Sequence, residues 1–174
     1  KGGGGSGDVT VAYTRNLYEG LSLQKDKISI FEELCDYYRK DIEEQYKNGN
    51  VPGMTIEPDV PNELLQKAKA YTDTAIITIC RYSGEGWDRK SVIDPNKALW
   101  DYERKMTEKS AEIFKDGDFC LSVKEKEMVD AVKTNFKNVI VILNVGGMVD
   151  TSWFAYDPKI QSALLALQGG MEGG

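Results

Sequence analysis

Three short, almost continuous apolar runs constrain this chain more than anything else in it. Ala75-Ile76-Ile77-Thr78-Ile79-Cys80, Asn138-Val139-Ile140-Val141-Ile142-Leu143 and Ala163-Leu164-Leu165-Ala166-Leu167 have strand length and hardly alternate polar with apolar residues. A strand that does not alternate is one covered on both faces, the pattern of a parallel sheet between helices. Helical periodicity fills the stretches between the runs. The prediction is an α/β fold: a three-layer sandwich with a mostly parallel sheet, helices on both faces and right-handed crossovers. At 174 residues, 41% of them hydrophobic, the chain is long enough for one such domain over residues 1–174.

The helices have local signals. Leu17, Leu21 and Tyr13 at helical spacing predict a helix within residues 11–24, weakened by Gly20. Ser29 and Glu32 have capping-box spacing ahead of the stripe Phe31, Leu34, Cys35, Tyr38 and Ile42, and Asn48-Gly49-Asn50 stops it. Pro61 is placed for the first turn of a helix over residues 63–71. Ser122 and Glu125 form a second capping box before Met128, Val129, Val132 and Phe136. The stretch between Ser91 and Phe119 is set apart: Asp94-Pro95 opens a helix through Leu99, Tyr102, Met106 and Ile113, inserted after the first strand's loop. Compact domains rarely carry so long a segment without a role, so a helical cover beside a site is one reading and a surface helix the other.

Ligands collect outside the carboxyl ends of parallel strands, which here means the loops 81–90, 144–150 and 168–174. The first, Arg81-Tyr82-Ser83-Gly84-Glu85-Gly86-Trp87-Asp88-Arg89-Lys90, singles out one acid: two glycines free the backbone around Glu85, Trp87 offers a flat apolar surface, and Arg81, Asp88 and Arg89 supply charges able to orient it. The same residue types also build ordinary exposed turns.

Composition removes several chemistries. Without histidine there is no Ser-His-Asp or Cys-His hydrolysis and no histidine acid/base work, so such work falls to residues like Glu85. Cys35, Cys80 and Cys120 lack paired metal-ligand spacing and read as buried free thiols; neither metal nor cofactor is expected. A net charge of −6 argues against nucleic acid or an anionic membrane as partner. No run approaches the length that spans a bilayer, and no signal-peptide pattern opens the sequence. The glycine-rich opening does not match a phosphate-binding loop, since Asp8 follows Gly7 where that motif needs Lys and Ser or Thr.

Six stretches in this order, Lys1 to Val9, Leu17-Tyr18-Glu19-Gly20-Leu21, Arg81 to Arg89, Phe119-Cys120-Leu121-Ser122, Val139 to Gly146 and Leu164 to Gly174, resemble the second domain of the family 3 glycoside hydrolases, the β-glucosidase-like enzymes. The resemblance implies a retaining hydrolase of terminal β-linked sugars, its substrate a β-linked glucoside or related oligosaccharide. In that family a (β/α)8 barrel domain supplies the nucleophilic Asp and the α/β sandwich the acid/base Glu, a position Glu85 matches. It further implies that Trp87 and Arg81 meet substrate while Ser83, Gly84, Gly86, Asp88 and Arg89 position the loop, with Asp88 and Arg89 pairing to each other as the favoured arrangement. Trp87 packing against the insert is the other option. Residues 1–10 then correspond to an interdomain loop and 91–118 to a helical insert, and the chain is a fragment lacking the barrel and the C-terminal part of its own domain. Leu167 and Met171 stand where the family often has an aromatic residue and Gln. The rival readings are a non-catalytic carbohydrate-binding module of the same fold and, more distantly, a flavodoxin-like binder of small ligands.

Overall fold

The computed structural model describes residues 10–50, 53–85, 87, 89 and 101–174. The expected loop at 1–10 therefore lies almost wholly outside the described residues, as do Gly86, Asp88 and the start of the insert. Within them the order is α1 (Leu17–Ser22), α2 (Glu32–Lys47), α3 (Asn62–Tyr71), β1 (Thr74–Arg81), α4 (Asp101–Ile113), α5 (Val123–Asn135), β2 (Asn138–Val145), α6 (Ser152–Ala155) and β3 (Ile160–Leu165). The three strands form one parallel sheet in the order β1-β2-β3, the α/β class read from the sequence.

One face of the sheet makes the core. Ile77 and Ile79 of β1 and Val139, Val141, Leu143 and Val145 of β2 point into it and meet Ala68 of α3 with Val129 and Phe136 from α5 and its end. Val139 and Val141 are fully buried. Such burial stabilises by about 1.5–3 kcal/mol per side chain. On the opposite row Ile76, Thr78 and Cys80 are exposed within this chain, as is Leu164, which is aligned through Ile142 with Thr78. Burial alternates along β1 although the sequence does not, because apolar character shows what a face tolerates and packing decides what covers it. Cys80 thus lies on the open row instead of in the core; all three cysteines are free.

The capping box of α5 forms as spaced: the Ser122 hydroxyl accepts from the Glu125 N–H, and the Glu125 carboxylate accepts from the Ser122 N–H at 2.7 Å. The other one does not. Helix α2 starts at Glu32 with Phe31 as its cap, and the Ser29 hydroxyl bonds the Tyr71 hydroxyl of α3 instead, a tertiary partner outcompeting the local one. Helix α1 is only six residues long, and its box is Asn16 with Glu19. The third strand begins at Ile160 and ends at Leu165, earlier than its apolar run, because Ile160 pairs with Val139; the chain then turns at Leu167, whose φ of 56° is left-handed.

Two positions yield predictions. Gly20 lies against the backbone of Gly174, where a Cβ would collide. The same segment returns to the helix region, with the Arg15 N–H donating to the Met171 carbonyl at 2.6 Å and both Tyr13 and Arg15 reaching Glu172. Gly20→Ala, which in an isolated helix gains about 1 kcal/mol, is here expected to cost about 1–2 kcal/mol by overpacking. Hydrogen exchange at the Arg15 amide is the measurement: it accelerates in the variant, and unchanged protection refutes the contact's importance.

Glu57 receives the Tyr38 hydroxyl of α2. Burial pushes its carboxyl up to about 7, with Glu125 and Asp41 adding repulsion and the Tyr38 hydrogen bond opposing the rise. An unfolded Glu titrates near 4.3. Between about pH 4 and 7 the folded chain therefore holds a proton that the unfolded chain has lost, so this group costs nothing below about pH 4, destabilises progressively as pH rises from there, and has its full cost once pH has passed about 7. The expected loss is on the order of 2–3 kcal/mol. Urea midpoints at pH 5 and pH 7.5 should show that Glu57→Gln abolishes this part of the slope; equal slopes in both proteins would exclude it.

Candidate active site

The carboxyl ends of the strands lie level, which builds the rim. Arg81 ends β1 opposite Val145 of β2, the Gly146 N–H continues the ladder to the Arg81 carbonyl at 2.9 Å, and the Ala166 N–H reaches the Leu143 carbonyl at 2.9 Å. All three expected loops emerge there and Ser83 joins them. Its hydroxyl donates to the Gly146 carbonyl at 3.0 Å, and its own carbonyl accepts from the Gln168 side-chain amide at 3.0 Å. Gly146 is required by this approach, because a Cβ would displace both Ser83 and Gln168.

Glu85 stands at the tip of a tight turn. The Gly84 N–H donates to the Trp87 carbonyl at 3.2 Å and the Trp87 N–H to the Gly84 carbonyl at 2.9 Å, so two residues are bracketed by a reciprocal pair. Glu85 is exposed, while Arg81 and Trp87 turn inward. Trp87 is 2% exposed, in a cluster with Met54, Met106, Ile113 and Phe114, with Tyr82 against it. Its place is against α4, the packing option, and not on an open surface where a sugar stacks. The insert helix α4 is thereby fastened beneath the turn.

Arg81, expected to meet substrate, is an interior residue, 4% exposed. Its five N–H donors all find acceptors: Nε the Asp118 carbonyl at 2.8 Å, Nη1 the Cys80 carbonyl at 2.9 Å and Glu125 Oε1 at 2.7 Å, Nη2 the Cys120 carbonyl at 2.9 Å and Glu125 Oε2 at 2.7 Å. The Phe114 ring lies 4.3 Å from its guanidinium carbon. No donor remains for a ligand. Glu125 serves twice, as the cap of α5 and as the counter-ion of Arg81.

Arg89 pairs with Asp118: Nε donates to the carboxylate at 2.8 Å and Nη2 to the Asp118 carbonyl at 2.7 Å. The expected partner, Asp88, lies outside the described residues. Asp118 is 4% exposed, and Asp118 Oδ1 and Arg89 Nη1 are buried without further hydrogen bonds, so removing either member strands the other. Sequence reasoning missed both Asp118 and Glu125 as parts of this region. The signal available for Glu125 was its capping box, which explains it completely without Arg81; for Asp118 it was only a position beside Phe119-Cys120-Leu121-Ser122.

Comparison with known proteins places this geometry. Residues 1–174 match the Glycosyl hydrolase family 3 C-terminal domain. The chain is 52% identical over 174 residues to beta-glucosidase A of Butyrivibrio fibrisolvens, with 100% of this chain and 21% of that protein covered. It is 26% identical over 178 residues to a beta-glucosidase of Ruminococcus albus, with 99% and 16% covered. Among solved structures, a beta-glucosidase from Paenibacillus barengoltzii aligns with a TM-score of 0.76 at 28% identity over 99% of this chain and 17% of its own. Beta-glucosidase 3B of Thermotoga neapolitana in complex with glucose aligns with a TM-score of 0.70 at 28% identity over 100% and 22%. The chain thus spans about a fifth of the length of these relatives.

Proposed function

Because the chain belongs to the Glycosyl hydrolase family 3 C-terminal domain family, we propose that it forms one half of a retaining β-glycosidase active site, with Glu85 as general acid/base. The nucleophilic carboxylate comes from a (β/α)8 barrel domain of the same larger protein, and the substrate is a β-linked glucoside or related oligosaccharide. The observation that carries this reading is the outward presentation of one carboxylate, Glu85, from a turn whose neighbouring side chains Arg81 and Trp87 are buried. A group that must hand a proton to a second domain's substrate needs an exposed head and a fixed base.

Retention asks for two carboxyls about 5–5.5 Å apart. In the first half-reaction the nucleophile bonds to the anomeric carbon, the glycosidic C–O bond breaks, and the Glu85 proton goes to the leaving oxygen. In the second, the Glu85 carboxylate takes a proton from water as that water's oxygen attacks the same carbon and releases the enzyme's ester. The arginines are suited to this cycle because Glu125 and Asp118 offset their charges. Bare guanidinium groups beside the turn would favour the ionised carboxyl and oppose the first step.

The test is hydrolysis of p-nitrophenyl β-glucoside and β-xyloside by the full-length protein and its Glu85→Ala variant, with and without azide. A variant as active as the parent places the acid elsewhere. The purified 174-residue chain is expected to be inert on both substrates, since it brings one of the two carboxyls; turnover by it refutes the division between domains.

A further inference from the structure

We propose that Asp118 is a positioning residue for Glu85, drawing both ends of its turn to one buried point. The inference rests on the role proposed for Glu85. Arg81 lies four residues before Glu85 and Arg89 four residues after it. The backbone carbonyl of Asp118 accepts from Arg81 Nε at 2.8 Å and from Arg89 Nη2 at 2.7 Å, while its carboxylate holds Arg89 Nε at 2.8 Å. A residue 33 positions beyond Glu85 thus closes a ring around the turn, inside which the Gly84–Trp87 pair sets the tip.

The anchor is itself fixed. Helix α4 ends in a turn at Gly117, whose φ of 83° is left-handed and whose N–H donates to the Phe114 carbonyl at 3.0 Å, and the Cys120 N–H returns to the Gly117 carbonyl at 3.3 Å. Beyond it the Phe119 carbonyl accepts from the Asp150 N–H at 2.8 Å, which ties the anchor to the second rim loop. Charge-assisted bonds to a buried, rigid acceptor are the strong kind, and they hold better than the exposed pairs elsewhere on this chain. A carboxyl that must meet a leaving oxygen across a domain boundary is sensitive to its placement. A shift of about 1 Å is enough to cost on the order of 10²-fold in rate.

The experiment uses the full-length protein and aryl β-glucosides with leaving groups from phenol to 2,4-dinitrophenol. Asp118→Asn is expected to lower kcat/KM for the phenyl glucoside by about 10- to 100-fold and to change the dinitrophenyl glucoside by less than about 3-fold, since only the poor leaving group needs the proton. Combining it with Glu85→Ala should add little to Glu85→Ala alone. Loss of equal size across the series, additivity with Glu85→Ala, or no loss at all overturns the assignment, because a merely structural residue lowers every substrate alike. Should Asp118→Asn fail to fold, Arg89→Lys, which keeps the charge and gives up the fork, reads the same leaving-group dependence. If Glu85→Ala shows that dependence and the Asp118 and Arg89 variants do not, only the present inference falls; if Glu85→Ala is fully active, the role of Glu85 falls with it.

Discussion

Replacing Glu85 by alanine in the full-length protein is expected to lower kcat/KM for phenyl β-glucoside by about 10²- to 10⁴-fold, the range for loss of a general acid or base. The loss is not uniform. A dinitrophenolate departs without a proton, so its first step survives while the glycosyl-enzyme, deprived of a base for water, accumulates. A pre-steady-state burst with a slow steady rate is the expected trace. Azide needs no base, and adding it should restore turnover and yield a β-glycosyl azide. Equal impairment for all leaving groups, with no azide product, would falsify the acid/base role and leave Glu85 as a residue of the turn. The discriminating power comes from the leaving-group dependence and from azide: a loss of folding lowers every substrate alike and yields no azide product.

Arg81→Met is expected to have the largest effect on stability, a loss of about 3–5 kcal/mol, the cost of breaking a buried ion pair from one side. Arg81 and Glu125 have side-chain exposures of 3% and 13%, and the pair meets through two contacts of 2.7 Å. Removing the guanidinium strands the Glu125 carboxylate and withdraws one donor from each of the Asp118, Cys120 and Cys80 carbonyls. Adding Glu125→Gln should recover a large part of the loss. Glutamine has no charge to strand and still reaches back to the Ser122 N–H, so the start of α5 keeps its cap. Denaturant unfolding of the two variants decides it: a double variant no more stable than Arg81→Met means that the lost carbonyl bonds, and not the stranded charge, set the cost.

These two residues illustrate how far the amino-acid sequence reaches. Arg81 and Glu85 share one loop and are both charged, yet one is spent inside the fold and the other is exposed. Periodicity cannot separate them, because the partners that claim Arg81 lie 37 and 44 residues away. Trp87 makes the same point. An aromatic residue beside a lone acid fits a sugar platform or a wedge, and the choice belongs to α4, whose Met106 and Ile113 close over it.

What the sequence by itself determined is the α/β class, the rim on which three glycine-bearing loops meet, and the position of a lone acid, Glu85, in the first of them. Each of these follows from local pattern: strand length, capping-box spacing, glycine beside an acid. Tertiary structure alone decided that Ser29 serves Tyr71 in place of its own helix, and that Asp118 holds both arginines. Hydrogen bonds and ion pairs between elements depend on where crossovers deliver side chains, and a parallel sheet delivers them from tens of residues away.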